Sequence, residues 1–198
     1  MAALAALAPL RPAFAMAPAG GGTLRQASGP VTVNGRPAGV GTPVAPGDMV
    51  AAGAGAQAVF TLGDDGFLLR SDGAVSVGDG PGGRLINLES GRLLSVFGPK
   101  AITLKTPHAN VGIRGTACYL EARPMVTNIC VCYGHAVMTA THAPEKAEEV
   151  RTRQHDAPRR IFAPGHDPVM EPYMAVDHTD EELVMLEALL GRVPPFMK

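Results

Sequence analysis

Three observations predict an all-β protein, an elongated solenoid-like or twisted sheet with one C-terminal docking helix. Runs of four to seven β-prone residues recur from Gly29 to about Thr141, each bounded by Gly, Asp, Asn or Pro. That region shows alternation and no helical period, as in Ala101-Ile-Thr-Leu-Lys105, where Ile102 and Leu104 share a face. Gly (24) and Pro (18) together exceed a fifth of the 198 residues without a collagen-like repeat, which suits short strands joined by tight turns. Hydrophobic residues make up 46% of the chain but aromatics only 5%, with no Trp, so the core must be built largely from Val, Leu, Ile and Ala. A net charge of −1 gives no field that would gather nucleic acid or an anionic membrane, and nucleic-acid binding is set aside.

Taken in order, residues 1–15 read as a signal peptide. Ala2 to Leu10 is a short apolar run and Ala13-Phe14-Ala15 an A-x-A cleavage site; the missing basic n-region points to a start codon upstream. The run is shorter than the ~20 apolar residues of a membrane span, and no later segment could anchor the chain. The expectation is export to the periplasm. Residues 16–28 read as a flexible lead-in.

Strands are predicted over 31–34, 48–51, 56–62, 66–70, 74–77, 84–88, 92–97, 101–105, 117–122, 127–133 and 136–140. Asn34-Gly35, Asp65-Gly66 and Asp72-Gly73 supply turn residues that take positive φ at little cost. Together residues 29–141 form the β domain. Residues 142–177 mix Pro, His and charged groups without periodicity and read as an extended wrapping segment. Residues 178–198 hold a helix and tail. Thr179 and Glu182 form a capping-box pattern, acids crowd the first turn, Leu183, Leu186, Leu189 and Leu190 make one apolar face, and Gly191 and Pro194 end it. Such a helix is marginal alone and should dock on the β domain.

Several segments within 29–141 carry a family likeness. They are Gly29-Pro-Val-Thr-Val-Asn-Gly35, Gly41-Thr-Pro-Val-Ala-Pro-Gly-Asp-Met-Val50, and Ala54–Leu62 followed by Asp65-Gly66. The most specific is Thr106-Pro-His-Ala-Asn-Val-Gly-Ile-Arg-Gly-Thr116. This combination resembles the FecR-type domain, the periplasmic sensor domain of bacterial iron-uptake regulators, over more than half the chain. The resemblance implies a solenoid-like β fold in the periplasm and a non-enzymatic sensor module that contacts an envelope protein. The regulators' cytoplasmic anti-sigma segment and transmembrane helix have no counterpart, so the reading is a stand-alone secreted version without a transmembrane anchor.

Three cysteines, Cys118, Cys130 and Cys132, fall within fifteen residues on two strands expected to form a hairpin. Cys130 and Cys132, at i and i+2, share a face, and Cys118 lies across from them in a register the sequence leaves open. Three readings follow. One is a structural disulfide with a third buried thiol, the ordinary outcome in an exported protein. Another is a thiolate site for Zn or Cu(I) completed by His135; otherwise no cofactor is expected. The last is a redox-active thiol beside Arg114 or Arg123. Arg114, Gly115 and Thr116 close the family signature and read mainly as a tight bend, with recognition as the alternative. His155-Asp156 and Arg159-Arg160 read as solvated loop charges, with anion binding as the alternative. His108, His142, His166 and His178 are scattered without metal-ligand spacing. The chain carries no G-x-S-x-G elbow, P-loop or H-E-x-x-H. The expectation is a binding or sensor module, with a thiol- or metal-handling envelope protein as the alternative.

Overall fold

The computed structural model describes residues 20–174 and 177–198; the expected signal peptide lies outside them. The described chain is mostly β and forms an open, twisted sheet that does not close into a barrel. In chain order the strands are β1 (Gly22–Ser28), β2 (Val31–Val33), β3 (Arg36–Pro37), β4 (Pro43–Val44), β5 (Met49–Ala52), β6 (Gln57–Leu62), β7 (Asp65–Leu69) and β8 (Gly73–Gly80). They continue as β9 (Gly83–Val96), β10 (Ala101–Lys105), β11 (Ala109–Arg123), β12 (Val126–Ala140), β13 (Ala143–Thr152), β14 (Arg159–Phe162) and β15 (Met170–Pro172). One helix, α1 (Asp180–Leu189), follows. No helix among the described residues is long and apolar enough to cross a membrane.

The 14-residue β9 joins two parts of the sheet. Its first half pairs antiparallel with β8 and parallel with β10; its second half pairs with β7 and with the far half of β11. The hairpin of β11 and β12, 15 residues each, spans both parts. It bends at Gly115 and Gly134, where the register shifts by a bulge. Gly134 sits at φ +101, and a Cβ there would lie 2.4 Å from Thr116 Oγ1, so only glycine fits.

Alternation buries both faces of the central strands. One face packs an inner core that includes Leu24, Phe60, Phe67, Leu88, Leu120 and Val131. Phe60 and Phe67 stack there with ring centroids 4.8 Å apart. The opposite face carries an outer layer of Val59, Leu68, Leu94, Val96 and Tyr119, which α1 covers with Leu183 and Leu186. The capping box forms as expected: Thr179 Oγ1 accepts from the Glu182 N–H, and the Glu182 carboxylate accepts from the Thr179 N–H. Arg70 Nη2 donates to both Glu182 carboxylate oxygens, at 2.7 and 2.8 Å, fixing the helix start to the end of β7.

Three expectations are corrected. Residues 22–28, expected in the lead-in, form β1 and pair with β6 along their length. A bulge between Leu24 and Gln26 breaks the alternation that would have revealed the strand. The 142–177 segment adds three strands to the sheet, β13 to β15. Charge on the edge strand β13, whose buried side chains are only Ala143, Val150 and Thr152, diluted its pattern. Asp65 does not turn the chain. Gly63 does, at φ +57, while Asp65 lies fully buried in β7, 3.1 Å from Arg84 Nε and 3.0 Å from Lys100 Nζ.

Candidate thiol and imidazole site

The register of the β11–β12 hairpin decides the fate of the three cysteines. Cys118 pairs with Val131 and Tyr119 with Cys130. Successive side chains on a strand point to opposite faces, so Cys118 enters the inner core while Cys130 and Cys132 enter the outer layer. All three are fully buried and free. The expected cross-strand disulfide through Cys118 does not form, because the sheet lies between that thiol and the other two.

Two histidines meet Cys130 and Cys132 instead. The first, His155, lies in the loop between β13 and β14. Its N–H donates to the Cys132 carbonyl at 3.0 Å, which folds the loop back onto β12. The loop is held by Asp156 Oδ2, which accepts from the Thr152 hydroxyl at 2.9 Å and the Arg153 N–H at 3.1 Å. His155 itself sits at φ +52, a left-handed conformation costly for a residue with a Cβ. This backbone aims its ring inward, with Nδ1 3.4 Å from Cys130 Sγ and Nε2 3.0 Å from Asp180 Oδ1.

The second, His178, immediately precedes the N-cap of α1. Its Nε2 lies 2.9 Å from His155 Nδ1, and its ring stacks on Tyr119 at 4.6 Å and 10°. Its Nδ1 is buried without a hydrogen-bond partner among the described residues. One donor atom each from Cys130, Cys132, His155 and His178 lies within 4.8 Å of the other three. Three separate segments thus converge: β12, the β13–β14 loop and the start of α1.

The electrostatics polarise the group. The Cys130 thiol is pulled far below its ordinary pKa by the hydrogen bond from Cys132; burial opposes this, and His155 and His178 add to it. Burial drives Cys132 the other way, reinforced by the charge on Cys130. His155 is raised by its bond to Cys130 and then by Asp180. Cys118 is pushed up by burial and by Cys130. The cluster therefore sets a thiol of lowered pKa beside an imidazole of raised pKa, with a second thiol and a second imidazole in reach. Such a group can ligate a thiophilic metal or serve as a reactive thiolate. A depression of about 460 Å³ lined by His155, Pro158, Pro172, Tyr173 and Met174 opens beside it.

The structure brings Cys130 and Cys132 together on one face, the placement strand geometry implies, and leaves His135 apart from them. His135 belongs to the other side of the bulge, where its Nε2 lies 2.8 Å from Glu149 Oε1, and it is not among the converging donors. His155 and His178 come from 25 and 46 residues beyond Cys130 and Cys132, so spacing could not reveal them. The one local signal was a histidine directly before a capping box. Arg114 and Gly115 are exposed at the bulge, Gly115 at φ +59. Thr116 is buried and its hydroxyl bridges the two strands, donating to the carbonyls of Arg114 and His135 and accepting from the His135 N–H. These three residues build the bend.

No family model and no curated protein matches the chain. Among solved structures, two crystal structures of a putative anti-sigma factor from Parabacteroides distasonis ATCC 8503, at 1.65 and 2.50 Å resolution, are similar. Each aligns with a TM-score of 0.53 at 14% identity, covering 70% of this chain and 64% of that one. The chain thus spans less than two thirds of the protein it resembles, and the likeness is one of fold.

Proposed function

We propose that the protein is a non-enzymatic FecR-type binding and sensor module, exported to the periplasm, that works by contact with another protein of the cell envelope. The observation that carries this reading is the free edge of the sheet. Among the described residues the ten-residue β13 pairs only with β12, so its other side offers a row of backbone donors and acceptors to a partner strand. Glu145, Lys146, Glu148 and Arg151 along it discourage indiscriminate pairing and favour a partner of matching charge. The fold shared with the Parabacteroides structures and the signature segment 106–116 support the same reading.

The test is cell fractionation followed by photo-cross-linking from Glu145 and Arg151, with Ser71 in a distant turn as control. The reading predicts a soluble periplasmic protein giving one discrete adduct from the β13 positions and none from Ser71. A cytoplasmic protein would overturn the location, and identical patterns from all three sites would overturn the edge contact. The converging thiols and imidazoles favour a second activity, metal handling.

A further inference from the structure

We propose that Cys130, Cys132, His155 and His178 bind one thiophilic d¹⁰ cation, Zn²⁺ or Cu(I), and that the bound ion latches helix α1 to the sheet. The proposal goes beyond the protein-contact reading and does not depend on it.

The donor set is the first argument. Two sulfurs and two imidazole nitrogens are a tetrahedral combination that suits a d¹⁰ ion. With bonds of about 2.3 Å to sulfur and about 2.0–2.1 Å to nitrogen, a tetrahedron spaces its donors by roughly 3.3–3.8 Å. The four donor atoms here lie within 4.8 Å of one another, and two of the contacts are 2.9 and 3.4 Å. Small rotations of buried side chains close the set around an ion.

The surroundings are the second argument. His155 presents Nδ1 to the cluster while its opposite nitrogen meets Asp180 Oδ1 at 3.0 Å. This is the carboxylate–histidine arrangement that fixes a ligand's tautomer and orientation. Tyr119 holds the His178 ring from one side. Both cysteines are fully buried, so the ion would be shielded from water, and the depression at Tyr173 and Met174 gives a way in. Binding replaces the two thiol protons, which pass to solvent, and two thiolates neutralise Zn²⁺; both imidazoles bind neutral.

The third argument is connectivity. His178 precedes the N-cap of α1 and Asp180 is its first residue, whereas the cysteines belong to the sheet. Metal bonds would join the helix start to β12, adding to the Arg70–Glu182 pair, the Tyr133–Glu187 and Gln154–Asp180 hydrogen bonds and the apolar face that hold α1 without the ion.

The experiment titrates the reduced, chelator-treated full chain with Zn²⁺ alone, and separately with Cu(I) buffered by a competing chelator, and reads stoichiometry by native mass spectrometry. One ion per chain is expected, with loss of binding in His155→Gln and His178→Gln and no change in Cys118→Ser or His135→Gln. Asp180→Asn, a change to a positioning residue, should weaken binding about 10–100-fold. Whichever cation binds more tightly at matched free concentration is the one the site takes. Because Cys130→Ser could disturb the core, hydrogen exchange on the unmutated chain is the second reading: the ion should slow exchange across 180–189. Absence of binding by either cation, or binding that survives both histidine substitutions, would overturn the site. Unchanged exchange would overturn the latch. Partner cross-linking is read separately, so failure there leaves the metal site standing.

Discussion

Truncating Leu186 to alanine should make the outer-face thiols reactive while leaving the inner one protected. Leu186 is fully buried on α1, in the same layer as Cys130 and Cys132. Removing a buried leucine side chain costs about 3 kcal/mol once the remaining cavity is counted. The ten-residue helix has little stability of its own, so the cost falls on its docking and not on the sheet. At about 1.4 kcal/mol per factor of ten, the undocked population rises roughly a hundredfold. The assay is alkylation of metal-free, reduced protein, resolved residue by residue through peptide masses. Cys130 and Cys132 should label about a hundredfold faster than in the parent. Cys118 should not change, because it packs in the inner core on the other side of the sheet. Equal acceleration at all three positions would mean that the helix and sheet unfold together. No acceleration at Cys130 would mean that α1 does not cover it. Either result would refute the two-layer argument.

Other perturbations probe the scaffold. Gly134→Ala forces a Cβ against Thr116 Oγ1 at positive φ; left-handed strain and lost hydrogen bonds should cost about 3 kcal/mol in urea unfolding, and a loss below about 1 would contradict the bulge assignment. Asp65→Ala removes the buried carboxylate shared by Arg84 and Lys100 and leaves the buried Arg84 only the exposed Asp79, and a loss of about 3 kcal/mol is expected, with partial recovery in Asp65→Asn. Asp156 is exposed, and its pKa is held low by the Arg153 N–H and then the Thr152 hydroxyl. Its contribution is therefore present above the unfolded value and disappears as pH falls through the lower folded value. Asp156→Ala should speed hydrogen exchange at the His155 amide at neutral pH, and the difference from the parent should shrink below about pH 4; a pH-independent difference would contradict the carboxylate's role.

Local signals in the sequence served well where a short segment decides its own structure. Asn34-Gly35 turns the chain with φ of +50 and +74, and Thr179 with Glu182 caps the helix. Alternation located most central strands, although several expected as separate pieces run together, such as 127–133 and 136–140 in β12. Sequence reasoning failed where tertiary pairing decides. β1 and β13 owe their extension to neighbours, and neither carries a clean period of two. The same division holds at the site. The shared face of Cys130 and Cys132 follows from strand geometry, but the exclusion of Cys118 depends on a register that bulges at Arg114–Cys118 shift. His155 reaches the cluster only through a loop folded against the Cys132 carbonyl, and His178 only because α1 docks over the outer layer.

The most direct test of the account is X-ray absorption at the metal edge of the full chain loaded with one equivalent of Zn²⁺. The account predicts two sulfurs at about 2.3 Å and two imidazole nitrogens at about 2.0–2.1 Å. A shell with three sulfurs would bring Cys118 back to the site and contradict the register. A shell of nitrogen and oxygen alone would remove the metal from the cysteines altogether.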